Sequence, residues 1–124
     1  MLTKRTHPVT HALAVANACS DLALEAEALS SFPRPLATSL LASANDAAAR
    51  LKIFLSTHGD SMCPLLAHRS SQAQSDLVAI AQFAELVLTY SATPRNAGYL
   101  VKIVRRTANH AVDCLNHVEE AIHL

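Results

Sequence analysis

The sequence predicts an all-α protein, an antiparallel four-helix bundle built from two helical hairpins. The 124 residues are 51% apolar, but only 4% are aromatic and none is tryptophan, which favours helices over strands. Breaks at residues 33–35, 59 and 94 leave long segments whose apolar residues recur at helical spacing. A chain of this length buries a core without disulfides or metals, so we expect one domain, residues 1–124, and no cofactor.

The first helix is predicted for residues 7–31. Thr6 can cap it, and Pro8 suits its opening turn because proline there loses no helical hydrogen bond. Its core stripe consists of Val15, Cys19, Leu22, Ala26 and Leu29. The prolines at 33 and 35 end this helix and start a second, predicted for residues 34–57 and stopped by Gly59.

The connection at 60–70 contains the apolar run 62–66, for which we predict a short helical turn packed over one end of the core. Ser71 and Gln74 form a plausible capping box, so the third helix is predicted for residues 71–92. Nearly every residue between Leu77 and Tyr90 is apolar. Such a helix must be covered on more than one side, which predicts a homodimer through it.

The fourth helix is predicted for residues 95–122 and has the most regular apolar stripe of the chain. The stripe consists of Leu100, Val104, Ala108, Ala111, Leu115, Val118 and Ile122. A helix with this pattern is unstable alone in water, so the other helices must pack against it. Acidic residues late in the first helix, among them Glu27, would then meet basic residues early in the fourth, among them Arg105.

Ten basic and ten acidic residues cancel. This balance does not favour a nucleic-acid partner, since phosphate contacts need a basic surface. Cys19, Cys63 and Cys114 are odd in number and far apart, which is typical of free thiols in a reducing compartment. No apolar run is long enough to span a bilayer, so we expect a cytoplasmic protein without a membrane partner.

Two local motifs suggest enzymatic alternatives. Arg105-x4-His110 resembles the Arg-x4-6-His motif of HEPN ribonucleases, which are small helical dimers. The resemblance implies that Arg105 and His110 of two protomers converge on an RNA phosphate. Leu66-Ala67-His68-Arg69 resembles the phosphoacceptor segment of histidine phosphotransfer domains, which implies that His68 is a phosphate-accepting nucleophile.

Seven histidines raise a metal alternative. His7 and His11 lie one helical turn apart, and His117 shares a helix face with Glu120. Antiparallel packing brings these two groups to the same end of the bundle, and zinc accepts such ligands. Surface histidines without a metal are the simpler interpretation.

No complete catalytic set is evident, so we expect a non-enzymatic module: a small regulator, adaptor or inhibitor that binds a protein partner through a helix face. The expected binding residues, from the third and fourth helices, are Leu86, Tyr90, Arg95, Tyr99, Lys102 and Arg106. The segments Leu65–His68 and Pro94–Asn96 resemble a family of short, alanine-rich, uncharacterised bacterial proteins. That resemblance implies a bacterial source and no particular activity.

Overall fold

A computed structural model describes residues 7–29, 31–90 and 94–122, apart from the side chains of residues 94, 95 and 97. Four helices make up nearly all of this part: α1 (Pro8–Leu29), α2 (Arg34–His58), α3 (Pro64–Tyr90) and α4 (Pro94–Ile122). A 3₁₀ turn, Gly59–Ser61, follows α2, and no strand occurs in the described ranges. The predicted all-α four-helix architecture is confirmed.

The helices form an antiparallel ring in which each packs against two neighbours. Between α1 and α4, the Thr10 hydroxyl donates to Glu119 at 2.8 Å, and Arg105 lies 3.1 Å from Glu27. Early residues of α1 therefore meet late residues of α4. The more extensive interfaces are α2–α3 and α1–α4.

Alanine dominates the interior. The alanines at most 4% exposed are Ala12, Ala16, Ala23, Ala26, Ala37, Ala44, Ala47, Ala48, Ala73, Ala81, Ala84, Ala108 and Ala111. Larger side chains fill the remaining space, and the most deeply buried of them include Leu40, Leu51, Leu77, Ile80 and Leu115. Small residues at the contacts let helix axes approach closely, so a larger side chain at one of these buried positions would overpack the core.

The third helix begins at Pro64, seven residues before the predicted start, and this part of the prediction was wrong. Proline is favoured at the first helical position, and the Ala67 amide donates to the Cys63 carbonyl at 3.0 Å, which closes the first turn. Ser71 and Gln74 consequently lie inside the helix instead of capping it. The connection from α2 shortens to residues 59–63 and contains the 3₁₀ turn Gly59–Ser61. The short helical turn predicted for the apolar run 62–66 is not a separate element, because residues 64–66 form the first turn of α3.

The other boundaries agree closely with expectation. The first helix ends at Leu29, two residues before the predicted end. The Thr6 cap and the predicted end of the third helix at residue 92 lie outside the described residues. Within the described ranges, no helix combines the length and the apolar character needed to cross a membrane.

Candidate functional site

Three large apolar side chains are exposed where the end of α3 lies beside the start of α4. Leu86 is 47% exposed, Tyr90 76% and Tyr99 68%. Leu86 and Tyr90 are four residues apart, which places them on one side of α3. Aromatic side chains supply much of the contact area in protein interfaces, so these three residues are candidates for binding.

Basic residues follow Tyr99 along α4. Lys102 and Arg106 are exposed and line a shallow groove that also includes Arg105, Asn109, His110 and Asp113. The α3–α4 face consists of five exposed residues: Leu86, Tyr90, Tyr99, Lys102 and Arg106. Arg95, the remaining predicted binding residue, lies in α4, but its side chain is outside the described residues.

The two residues of the ribonuclease alternative line the same groove but are held in different directions. Arg105 reaches α1 and pairs with Glu27, as the sequence predicted. His110 turns toward α3, where its Nδ1 lies 2.6 Å from Asp76 Oδ2. The arginine and histidine of one chain therefore do not converge on a common point in this conformation.

A polar cluster that the sequence did not predict lies between α3 and α4. His110 bridges Asp76 and Cys114, with its Nε2 3.8 Å from the Cys114 sulfur, and Gln72 Oε1 is also 3.8 Å from that sulfur. Cys114 is only 2% exposed. Burial raises the pKa of its thiol, and nearby Asp76 raises it further, while the charge and hydrogen bond of Arg69 act in the opposite direction.

The cluster has a faint sequence signal. Gln72 and Asp76 are four residues apart on one helix, and His110 and Cys114 are four residues apart on another. Each pair must share a helix face, but only the packing of α3 against α4 brings the two pairs together. Cys114 is a free thiol, as the sequence predicted, but the sequence did not indicate its polar neighbours.

His68, the candidate phosphoacceptor, is exposed in the second turn of α3. Its neighbour Arg69 is half-buried and contributes to the Cys114 environment. An exposed imidazole on a bundle helix is compatible with phosphate acceptance. This alternative stays a prediction.

The histidines of the metal alternative contact different partners. His11 Nε2 lies 3.1 Å from Asp46 on α2, and the His7 ring packs edge-on against Phe54. His117, on α4, is exposed and bonds through Nδ1 to the carbonyl of Asp113 at 2.8 Å, and Glu120 is exposed nearby. Among the described residues, no three His, Cys, Asp or Glu side chains are grouped to hold a metal ion.

No family model, curated protein or solved structure matches this chain. The resemblances noted from its sequence therefore stay predictions. The geometry of its own residues is what supports a function.

Proposed function

We propose that this protein is a non-enzymatic interaction module that binds a protein partner through the α3–α4 face. The observation that carries the proposal is the grouping of Leu86, Tyr90 and Tyr99, all exposed at one end of a helix pair whose remaining large apolar residues are mostly covered. Exposed apolar residues that are close together mark interaction sites more often than scattered ones. In this role the chain is a small bacterial regulator, adaptor or inhibitor acting in the cytoplasm.

The chemistry of the face indicates what kind of partner would fit. Two aromatic rings and a leucine offer apolar anchor points, and Lys102 and Arg106 follow along α4. Arg105 is already paired with Glu27, so Lys102 and Arg106 are the basic residues of the face that remain for a partner. A partner surface with apolar residues bordered by carboxylates would complement this arrangement.

A pull-down from lysate of the source organism, treated with nuclease and read by mass spectrometry, tests the proposal. Tagged wild type is compared with Leu86→Glu and Tyr99→Glu, which place a charge on the apolar part, and with Lys102→Glu/Arg106→Glu. Ile53→Glu is the matched control, because Ile53 is 67% exposed on α2, outside the face. We expect the face variants to lose a stoichiometric partner at least tenfold while Ile53→Glu retains it. Equal capture by all variants would refute this binding site.

A homodimer is a second part of the proposal, motivated by the same exposed residues of α3. Most of the helix is covered within one chain, including Leu77, Ile80 and Val87, so a dimer contact would be confined to its outer side near Leu86 and Tyr90. Sedimentation at micromolar concentration should give a dimer for wild type and a monomer for Leu86→Glu. A monomeric mass for both proteins would remove the dimer.

The HEPN-like ribonuclease remains the second candidate because Arg105 and His110 line one groove. If that candidate is right, purified wild type cleaves a labelled single-stranded RNA, and either Arg105→Ala or His110→Ala abolishes the cleavage. Lys102→Ala, in the same groove, should weaken RNA binding without abolishing cleavage. Absence of cleavage by wild type leaves the interaction module as the better proposal.

A further inference from the structure

Cys114, His110 and Asp76 are arranged in the order of a nucleophile, a base and an orienting carboxylate. Asp76 Oδ2 lies 2.6 Å from His110 Nδ1, and the other ring nitrogen lies 3.8 Å from the Cys114 sulfur. A carboxylate accepts a hydrogen bond, so Nδ1 carries a proton, and in the neutral ring Nε2 presents its lone pair to the thiol. This is the tautomer that a general base next to a thiol requires.

The other two cysteines lack this environment. Cys19 is buried at 1% exposure, and Cys63 is exposed. Among the described residues, neither is hydrogen-bonded to a histidine or a carboxylate, whereas Cys114 contacts Arg69, Gln72 and His110. One thiol of the three is therefore placed to lose its proton to a neighbouring base.

We propose that Cys114 is a nucleophilic thiol that accepts an acyl group from an activated ester or thioester, with His110 as general base and Asp76 as its positioning residue. In the reaction the sulfur bonds to the acyl carbon, and the thiol proton moves to His110 Nε2. The bond from the acyl carbon to the leaving oxygen or sulfur then breaks. The leaving group takes the proton from His110, which yields acyl-Cys114 and a free alcohol or thiol.

The environment of the sulfur is consistent with proton transfer during the attack. Burial raises the pKa of the Cys114 thiol, so the resting group is neutral and a base must remove its proton. Arg69 hydrogen-bonds the sulfur and opposes that rise, so its charge stabilises the thiolate as it forms. Arg69, Gln72 and His110 contact the sulfur through their side chains, and His110 is 52% exposed.

The test treats the full chain with p-nitrophenyl acetate. Release of p-nitrophenolate measures the rate of acylation, and peptide mapping identifies the acetylated cysteine. We expect Cys114 to be acetylated at least tenfold faster than Cys19, which is equally buried and serves as the internal control. His110→Gln should slow acetylation of Cys114 at least tenfold, and Asp76→Asn should slow it less. His117→Gln is the matched control, because His117 is another exposed histidine of α4, within one turn of Cys114.

His110→Gln and His117→Gln each change an exposed side chain, so we expect both to fold. A melting curve of each variant verifies that the fold is retained. Acetylation of Cys114 no faster than that of Cys19 would overturn the proposal. So would a rate that His110→Gln leaves unchanged, since the thiol would then react without the base. Acetylation in urea should proceed equally at all three cysteines, which shows that the difference comes from the folded structure.

Discussion

Truncating two leucines of α3 tests the packing of the bundle most directly. Leu77 is fully buried, whereas Leu86 on the same helix is 47% exposed. Both variants, Leu77→Ala and Leu86→Ala, make the same chemical change in the same kind of backbone, so differences in helix propensity cancel. The two free energies of unfolding therefore differ only through the surroundings of the side chain.

The magnitudes follow from burial. A fully buried leucine replaced by alanine loses its transfer free energy and leaves a cavity, which costs about 3 to 4 kcal/mol. Leu86 keeps roughly half of its surface in water, and its outer position leaves no closed cavity, so its truncation should cost about 1 kcal/mol or less. For a chain of this size, the melting temperature should fall by roughly 12 °C for Leu77→Ala and by about 4 °C or less for Leu86→Ala.

Urea unfolding followed by far-ultraviolet circular dichroism measures both free energies, provided that the slopes with denaturant agree. Equal losses for the two variants would refute the placement of Leu77 in the core. A large loss for Leu86→Ala that depends on protein concentration would instead show that Leu86 is buried between two copies of the chain.

Three further predictions follow from buried and paired groups. The Ser70 hydroxyl is buried and has no hydrogen-bond partner among the described residues, so Ser70→Ala should raise the stability in thermal melts by about 1 kcal/mol more than Ser71→Ala, which shares only the gain in helix propensity at the exposed neighbour. Burial raises the pKa of Cys19 to about 12 from an ordinary value near 9. The folded thiol keeps its proton while the unfolded one loses it, so stability should fall as the pH rises above about 9, and urea titrations of Cys19→Ala should show a shallower fall. The Arg105–Glu27 pair is about half exposed on both sides, so a double-mutant cycle should give a coupling below about 1 kcal/mol that shrinks in high salt.

Much of the fold was predictable because proline and glycine divide this chain clearly. Pro8 and Pro94 stand at the first positions of their helices, and the breaks at 33–35 and 59 separate the others. The start of α3 was missed because two signals competed: a capping pattern at Ser71 and a proline at residue 64. Proline at the first position also begins a helix, and Leu65 and Leu66 continue it without a break.

The candidate sites were less predictable, because they depend on how helices are rotated and aligned against each other. The sequence placed His7 and His117 at the same end of the bundle, but His7 packs against α2, whereas His117 is exposed on α4. The contact of His110 with Asp76 depends on the register of α3 against α4, which spacing along one helix does not determine. Tyr90 and Tyr99 were among the predicted binding residues, but packing over the end of the hairpin was the simpler expectation for them, and the structure leaves both exposed.

The pairing of α1 with α4 has a consequence for folding. Thr10 and Glu119 are separated by 109 residues of chain, so this interface forms only when the two outermost helices meet. The two most extensive interfaces are α1–α4, which joins the two outermost helices, and α2–α3, which joins consecutive helices across residues 59–63. An isolated hairpin would expose most of the surface that stabilises it, so the two halves should fold and unfold together in one cooperative transition. Formation of the α1–α4 interface then carries the largest loop-closure entropy of the fold, which makes it a late step in folding.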